Sequence, residues 1–394
     1  MKHNWTYKNL GEVVKCYRGL TYSKADEVPS SSNMVLRSNN IDLDSHTLNF
    51  DDIKCVRENL AIAEDKKLKK DSIFICMSNG SMQHLGKVAY VDKDYDYAFG
   101  GFMGLIVPDA KLVLPKYVYY ALLAPSFLAT ILRDGHGANI NNLRFSELEK
   151  YSLPIPSDEE QQAIVRELDL INRLIQLQEQ QLRDCDKLAQ SVFYTTFGSN
   201  PDFARKTIAE VSSFVNDGDW IESKDQSESG IRLIQTGNIG VGVYRDKGDK
   251  ARYISEATFK ALQCTEIFPG DCLISRLPDP IGRACILPKF EGRAITAVDC
   301  TILRFKENIL PEYFIHFATS QDYFDQVYKY STGATRKRIS RKNLMSVQVP
   351  VPPLALQQSF AAQIEAIEQQ KALVRKSLEE TRTLLAARMQ YYFE

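Results

Sequence analysis

The sequence is poor in the features that mark metal centres, phosphate-binding loops and membrane spans. Its 394 residues include five histidines and eight cysteines, and no two cysteines have the C-x-x-C spacing of a zinc ribbon. Most cysteines stand in apolar segments, which indicates reduced core thiols and a cytoplasmic protein. We therefore expect neither a metal site nor a disulfide framework.

Long apolar runs and targeting signals are also missing. No apolar run follows Met1–Trp5, so a signal peptide is not expected. The most apolar stretch, residues 118–132, contains Pro125 and two tyrosines, which favours a buried helix over a membrane span.

Neither sign of charge is in excess. The formal net charge is −1, with 44% hydrophobic and 25% charged residues, which is typical of a folded globular protein. A polyanionic partner would have to be held by local basic patches, because the overall field is close to neutral.

The most informative feature present is an internal repeat. Residues 137–197 align with 333–393 without a gap, at an offset of 196 residues. Matched positions in this part are Gly137-Ala138 with Gly333-Ala334, Leu148 with Leu344, Pro154-Ile155-Pro156 with Pro350-Val351-Pro352, and Gln161-Gln162 with Gln357-Gln358. Upstream, Leu36–Ile41 resembles Ile234–Ile239, and Gly86-Lys87-Val88 resembles Gly282-Arg283-Ala284.

Each copy begins with a strand-rich domain and ends in a helix. Short β-branched and aromatic runs such as 86–91, 102–107, 272–275 and 297–305 predict strands between Gly, Asp and Asn turns. We place the first domain at residues 1–153, its helix at 154–198, the second domain at 199–349 and its helix at 350–394.

The first helix has clear start and stop signals. Pro154 and Pro156 disfavour helix before them, Ser157 with Glu160 forms a capping-box pattern, and Gly198 ends the helix. Apolar residues then follow at spacings of three and four, with Gln178 as a polar exception. The second helix repeats this spacing, with Lys371 and Thr381 as exceptions.

Helices of about 40 residues are about 60 Å long. An apolar stripe of that length needs a partner, and the simplest partner is the helix of the other copy. The alternative is that each helix packs on its own domain.

This organisation resembles a known family. The most specific segments are Ser331-Thr332-Gly333-Ala334-Thr335 through Ile339, and Val349-Pro350-Val351-Pro352-Pro353-Leu354 followed by Gln357-Gln358. Together with the repeat, they resemble the specificity (S) subunit of Type I restriction–modification enzymes over essentially the whole chain. The first copy departs from the pattern: Gly135-His136-Gly137-Ala138-Asn139 replaces the Ser-Thr-Gly-Ala-Thr run, and Ser157 replaces a proline.

The resemblance implies an α+β fold with two tandem α/β recognition domains. They would be separated by two long helices packed as an antiparallel coiled coil with pseudo-two-fold symmetry. Each domain would read one half of a bipartite site in double-stranded DNA. The helices would dock two methyltransferase (M) subunits, which restriction (R) subunits join. S-adenosylmethionine, ATP and magnesium would belong to those partners, and this chain would carry no cofactor.

The strongest local DNA-binding signal is the segment 328–343, which contains six cations and no acid. Lysine and arginine neutralise phosphates, arginine also binds guanine, and short hydroxyls donate to phosphate oxygens. The candidates are Thr332, Gly333, Thr335, Arg336, Lys337, Arg338, Arg341 and Lys342. The alternative is a solvated basic loop.

The matching segment of the first copy, 134–146, is less basic. Asparagine pairs with adenine in the major groove, but it is also a common turn former. The candidates here are Asn139, Asn141, Asn142 and Arg144, and Asn40 and Asn238 are further candidates at matched positions after strands.

Two other classes of function stay open. A self-contained restriction enzyme fragment would need its own chemistry, but no Asn-Pro-Pro-aromatic methyltransferase tetrad occurs. The glycines of 99–104 lack the following helix and acid of a cofactor loop, and Pro278-Asp279 with Glu291-Gly292-Arg293 ends in Arg where a metal nuclease has Lys. A coiled-coil scaffold or adaptor would explain the helices but not the basic loop. We predict a non-catalytic chain.

Overall fold

The computed structural model describes residues 5–81, 83–134, 142–198, 202–333 and 337–394. The chain divides into two compact units. Unit 1 comprises Met1–Gln180 with Arg375–Glu394, and unit 2 comprises Gln181–Val374. Each unit therefore contains one strand-rich domain together with parts of both long helices.

In the described part of unit 1 there are ten strands, and the first long helix begins there. The strands are β1 Thr6–Asn9, β2 Val14–Arg18, β3 Glu27–Val28, β4 Asn33–Leu36, β5 Lys54–Val56, β6 Ser72–Cys76, β7 Val88–Val91, β8 Ala98–Phe99, β9 Met103–Pro108 and β10 Ser152–Ile155. The helices are α1 Pro115–Leu123, α2 Pro125–Asp134, α3 Phe145–Leu148 and α4 Asp158–Phe197.

The second copy continues with eleven strands within residues 202–333 and 337–394, the part of it that the structure describes. They are β11 Ala204–Thr207, β12 Ser212–Asp217, β13 Gln226–Ser227, β14 Ile231–Ile234, β15 Arg252–Ile254, β16 Glu266–Ile267, β17 Cys272–Ser275, β18 Ala284–Ile286, β19 Ala294–Thr296, β20 Cys300–Phe305 and β21 Gln348–Val351. The helices are α5 Ile208–Val211, α6 Glu256–Ala261, α7 Pro311–Phe317, α8 Gln321–Lys329, α9 Arg341–Met345 and α10 Leu354–Phe393.

The two units share the same strand order except for one additional edge strand, β16, in unit 2, which agrees with the repeat predicted from the sequence. Unit 1 has sheets β2-β9-β6-β7 and β3-β5-β4-β8 and a ribbon β1-β10. Unit 2 has β12-β20-β17-β18, β13-β15-β14-β19-β16 and the ribbon β11-β21. In both, the second sheet combines antiparallel pairs with one parallel pair, β4 with β8 and β14 with β19.

In each domain, the central strand of the first sheet lies between the helices on one side and the second sheet on the other. Every residue of β6 is buried. Successive side chains of a strand point to opposite faces, so Ile73 and Ile75 pack with Tyr117 of α1 while Phe74 packs with Phe99 of the second sheet. In unit 2, Ile274 of β17 packs on the helical side and Leu273 on the sheet side.

The predicted start and end of the first helix are confirmed at Asp158 and Phe197. The Ser157 hydroxyl lies 2.8 Å from a carboxylate oxygen of Glu160, and the Ser157 amide donates to the same oxygen at 2.9 Å. The apolar stretch 118–132, by contrast, forms parts of two helices rather than one. Ala124 has an extended backbone because Pro125 follows it, and the second helix starts at the proline.

One glutamine joins each long helix to the domain of its own copy. The amide oxygen of Gln161 accepts from the Leu114 amide at 2.8 Å, and its nitrogen donates to the Pro156 carbonyl at 3.0 Å. Gln357 repeats this with Leu310 at 2.9 Å and Pro352 at 2.9 Å. Both glutamines are fully buried, so the Gln-Gln element is a structural anchor.

The far end of each helix contacts the domain of the other copy. In unit 1, Phe393 of α10 packs against Tyr117 with ring centroids 5.4 Å apart. In unit 2, Phe197 of α4 packs against Tyr313 at 4.7 Å. The Tyr117 and Tyr313 hydroxyls donate to the Pro154 and Pro350 carbonyls, both at 2.9 Å.

Two of the three polar exceptions in the helix stripes, Gln178 and Lys371, have partners on the other helix, whereas the Thr381 hydroxyl donates to the Ser377 carbonyl of its own helix at 2.8 Å. In unit 1, the Gln178 amide donates to the Ser377 hydroxyl at 2.8 Å, and Arg388 donates to Glu167 at 2.8 Å. In unit 2, Lys371 pairs with Asp186 at 2.7 Å. The two helices therefore contact each other within both units.

Burial of His316 makes unit 2 sensitive to acid. Its ring lies 5.1 Å from that of Phe360 and 6.3 Å from that of Phe193. Burial lowers the pKa of His316 to about 4, and nearby Glu368 and Lys371 have smaller, opposing effects. The unfolded histidine titrates near pH 6.5, so the unfolded chain binds more protons between these values and stability falls as the pH drops.

We predict that the free energy of unfolding of unit 2 falls by about 2 to 3 kcal/mol between pH 6.5 and pH 4 because of this one residue. Urea unfolding of a Trp5→Phe chain, followed by Trp220 fluorescence, would measure it. The same chain with His316→Phe is the control and should show a flatter pH dependence. Identical slopes in the two chains would contradict the assignment.

Candidate nucleic-acid interface

Three loop segments of unit 1 lie side by side through backbone hydrogen bonds. The Met77 and Ser78 amides donate to the Phe102 carbonyl at 3.0 and 3.1 Å. The Leu143 amide donates to the Met77 carbonyl at 2.7 Å, next to a bridge between Ser78 and Asn142. We call segments 77–79, 100–102 and 142–144 the loop edge of unit 1.

Unit 2 repeats this arrangement with different side chains. The Arg276 amide donates to the Asp299 carbonyl at 2.9 Å, and the Ile339 amide donates to the Arg276 carbonyl at 3.3 Å. The loop edge of unit 2 therefore comprises segments 276–277, 297–299 and 337–342. The sequence-predicted loops of the two copies thus occupy matched places.

A fourth segment adjoins each loop edge at a glycine. Leu20 forms a parallel bridge with Gly100, and Asp219 forms one with Ala297. A Cβ on Gly19 would lie 2.1 Å from the Gly100 carbonyl oxygen, and one on Gly218 would lie 2.3 Å from that of Thr296. Both positions therefore require glycine.

Asn40 and Asn238 lie inside the protein, which corrects the expectation that they contact DNA. Asn40 is fully buried; its side chain accepts from the Arg37 amide at 2.8 Å and donates to the Asn49 carbonyl at 2.9 Å. Asn238 accepts from the Gln235 amide at 3.0 Å and donates to the Arg245 carbonyl at 2.9 Å. Both amides shape the loop after a strand and are unsuited to base contact.

A buried cation supports that loop in each unit, a role that the sequence analysis missed. Lys87 donates to the Ile41 carbonyl at 2.6 Å, and Arg283 donates to the matched Ile239 carbonyl at 2.6 Å. Arg283 also donates to three further carbonyls, those of Thr236, Leu277 and Pro280. Burial lowers the pKa of both side chains. The signal was the repeated Gly-cation-apolar motif.

Two residues of the basic segment of unit 2, Thr332 and Arg338, are paired with each other. Thr332 and Arg338 exchange two backbone hydrogen bonds of 2.8 Å, and Gly333 has a φ of 107°, which favours glycine. The predicted Thr335 and Arg336 lie outside the described residues. Ser340 then caps α9 by accepting from the Asn343 amide.

Acids from neighbouring strands partly neutralise the segment, although its own sequence has none. Arg338 pairs with Asp299 at 2.9 Å, and Arg341 lies 3.8 Å from Asp217. Lys337 and Lys342 are exposed, and neither has a carboxylate within 4.0 Å among the described residues. The two lysines are therefore available to a polyanion, whereas the two arginines are held in place.

In unit 1, the described candidates at the matched loop are Asn142 and Arg144. Both are exposed. Asn142 matches Arg338 in the repeat, and the Arg144 amide donates to Glu147 at the start of α3. The predicted Asn139 and Asn141 lie outside the described residues.

A cavity of about 690 Å³ with a mixed polar and apolar lining opens beside the loop edge of unit 1. Its walls combine arginine, amide and aromatic side chains, among them Arg18, Tyr22, Arg37, Asn39, Asn79 and Phe102. None of these residues was singled out as a binding residue from the sequence, because they are far apart along the chain.

Metal chemistry has no candidate in the part of the chain that the structure describes, since no three His, Cys, Asp or Glu side chains there could hold an ion. Likewise, no helix among the described residues has the length and apolar character needed to cross a membrane.

Comparison with known proteins gives consistent results. A family model described as the Type I restriction modification DNA specificity domain matches residues 2–184 and again 200–381. The specificity subunit of the Type I restriction enzyme EcoKI from Escherichia coli K12 is 22% identical over 390 residues, 93% of this chain and 82% of that protein. The putative MjaX specificity subunit from Methanocaldococcus jannaschii is 22% identical over 407 residues, 96% of this chain and 90% of that protein.

Two solved structures share the fold. One, from work on complex assembly and conformational transition of the type I R-M system, has a TM-score of 0.59 at 16% identity and covers 99% of this chain and 97% of its own. The S subunit from M. genitalium has a TM-score of 0.54 at 16% identity, with 99% and 96% covered.

Lys87 and Arg283 donate to different numbers of carbonyls, so substituting each of them tests how far these hydrogen bonds stabilise the loop. Arg283→Met leaves four carbonyls without their donor, whereas Lys87→Met leaves one. An unpaired buried acceptor costs about 1 to 3 kcal/mol. We expect unit 2 to lose about 3 to 5 kcal/mol on Arg283→Met and unit 1 to lose about 1 to 3 kcal/mol on Lys87→Met.

Urea unfolding reported separately by Trp5 in unit 1 and Trp220 in unit 2 would measure both losses. Equal losses from the two substitutions would show that the number of bound carbonyls does not set the stability of this loop.

Proposed function

Because the chain belongs to the Type I restriction modification DNA specificity family, we propose that it is the subunit that reads a bipartite DNA target for such a complex. The observation that carries the proposal is the repeated loop edge. One backbone scaffold presents Phe102 and Asn142 in unit 1, but Asp299 and Arg338 at the matched places in unit 2, while the matched Met77 and Arg276 are buried beneath them. Recognition of two half-sites of different sequence requires loops that share a backbone conformation and differ in their side chains.

The chemistry of unit 2 suits a phosphate-flanked, guanine-containing half-site. Exposed Lys337 and Lys342 would neutralise phosphates, which gives affinity without sequence information. The Asp299 carboxylate orients the Arg338 guanidinium, and an oriented guanidinium suits bidentate contact with guanine. In unit 1, exposed Asn142 has the donor and acceptor that adenine requires.

The long helices offer a surface for two equivalent partners. Leu177 and Leu188 of α4 are 52% exposed, and the matched Leu373 and Leu384 of α10 are 65% and 49% exposed. Exposed apolar residues repeated along a helix mark a protein-binding surface. We assign this surface to methyltransferase subunits, with restriction subunits joining that core and the helices pairing as an antiparallel coiled coil.

Under this proposal the chain itself is non-catalytic. S-adenosylmethionine, ATP and magnesium would be bound by the partner subunits, which supply the methylation and cleavage chemistry. The alternative of a coiled-coil scaffold without a DNA role would leave the matched loop edges and the exposed lysines unexplained.

Methylome sequencing tests the proposal directly. We expect cells that carry this chain with its methyltransferase partner to show one split methylated motif, and deletion of the chain to abolish it. Replacing the strand-rich domain of unit 2 by that of a relative should change one half of the motif only. An unchanged methylome after deletion would favour the scaffold alternative.

Phosphate contact by the loop edge of unit 2 predicts a change in salt dependence. Each lost phosphate contact reduces the slope of log affinity against log salt by about 0.9, so Lys337→Ala with Lys342→Ala should flatten the slope by about 2. The binding of the assembled methyltransferase complex to a target duplex would be measured by fluorescence anisotropy at several salt concentrations. Lys260→Ala on α6, equally exposed but outside the loop edge, is the control, and equal slopes for all variants would exclude phosphate contact by the two lysines.

A further inference from the structure

Among the described residues, each unit displays a strongly exposed aromatic ring, which lies on the loop edge in unit 1 and on the fourth segment beside the loop edge in unit 2. Phe102 is 74% exposed in unit 1, and Trp220 is 70% exposed in unit 2. Single exposed apolar residues are common on protein surfaces, so exposure alone does not distinguish them. Their position and surroundings distinguish these two rings from ordinary exposed residues.

The two rings come from opposite members of the same pair of loops. In each unit, the segment that follows β2 or β12 forms a parallel bridge with the turn before β9 or β20. The bridged residues are Leu20 and Gly100 in unit 1, and Asp219 and Ala297 in unit 2. Unit 1 places its aromatic, Phe102, on the turn. Unit 2 places its aromatic, Trp220, on the other segment and has Asp299 on the turn, where it holds Arg338.

Both rings stand on fixed backbone. The Phe102 carbonyl accepts two backbone hydrogen bonds, and the Met103 amide closes the turn onto Gly100 at 2.8 Å. Beside Trp220, the Asp219 amide donates to Thr296 at 2.8 Å and its carboxylate accepts from the Thr265 amide at 2.9 Å. A ring on rigid backbone loses little conformational entropy when it binds, which favours its use as a contact.

The cavity next to Phe102 has the chemistry of a nucleobase site. Tyr22 supplies a second aromatic wall, and Asn79 supplies an amide that is already fixed to Ser38 at 2.8 Å. Arg37 pairs with Asp52 at 3.0 Å, while its buried Nε has no hydrogen-bond acceptor among the described residues. Aromatic faces beside cations and amides are the groups that proteins use to stack on and hydrogen-bond to bases.

We propose that Phe102 and Trp220 are base-stacking residues, each of which inserts at a base step of the half-site read by its own unit. This inference rests on the proposed function and adds specificity-determining residues outside the basic loop. An inserted ring partly unstacks a step, so it favours flexible steps and reads sequence through deformability as well as direct contact.

The test uses the assembled methyltransferase complex with the full chain, and duplexes that carry its methylated motif with 2-aminopurine at each position in turn. We expect one position in each half-site to change fluorescence on binding of the wild-type complex, and the signal in the half-site of unit 1 should depend on Phe102. Phe102→Ala and Phe102→Leu should both abolish that signal and weaken binding about tenfold to a hundredfold, while Phe102→Tyr should retain both, because only Tyr keeps an aromatic face.

Trp220→Ala should abolish a signal in the other half-site and leave the first unchanged. Tyr7→Ala, which removes a 51% exposed ring on β1 outside the loop edge, is the matched control and should change neither signal. Circular dichroism and urea unfolding verify that each variant is folded.

The possible outcomes distinguish failure of the stacking proposal from failure of the proposed function. A split motif that persists while Phe102→Ala and Trp220→Ala bind and fluoresce like the wild type would overturn stacking and leave the proposed function intact. A signal lost in Phe102→Ala but kept in Phe102→Leu would also overturn it, since bulk rather than an aromatic face would then be responsible. Absence of any split motif would overturn the proposed function and the stacking proposal with it.

Discussion

The hydrogen bonds of Gln161 and Gln357 are the constraint on which both units depend. Each buried amide satisfies a backbone N–H at the start of a domain helix and a backbone carbonyl of the Pro-x-Pro element at once. Removing either would leave polar backbone groups buried without partners, which costs more than an ordinary surface hydrogen bond contributes. The first turn of each long helix is thereby attached to the domain of its own copy.

A second theme is the use of buried cations and amides to hold loops that carry no regular structure. Lys87, Arg283, Asn40 and Asn238 bind main-chain carbonyls and amides rather than side chains. Main-chain partners are present whatever the neighbouring side chains are. The exposed residues of these loops can therefore differ between the copies while the loops keep their paths.

The architecture could be predicted from the sequence because it depends on local signals. The repeat offset, the Ser157 cap and the stop at Gly198 each specify one backbone feature, and the structure confirms the resulting helix to the residue. Strand positions were predicted within a few residues, since alternation of buried side chains marks a strand but not its ends.

The binding site was less predictable because it depends on residues brought together by topology. Nothing near Arg338 in the sequence indicates that Asp299 will pair with it, and the cavity of unit 1 is lined by four separate segments. Asn40 and Asn238 show the opposite error. Their matched positions reflect a shared structural role. A repeated sequence alone does not show whether two matched residues share a structural role or bind the same kind of ligand.

The ion pairs at the loop edge of unit 2 also bear on how a DNA-binding protein searches. Under the proposed function, an acid beside each of two arginines would lower the attraction to DNA of any sequence, because the phosphates would compete with Asp299 and Asp217 for the same guanidinium groups. A protein with fewer unpaired cations dissociates sooner from incorrect sites. The carboxylates would then shorten the time spent on each incorrect site, and the complex would sample more of the genome before it stops at its target.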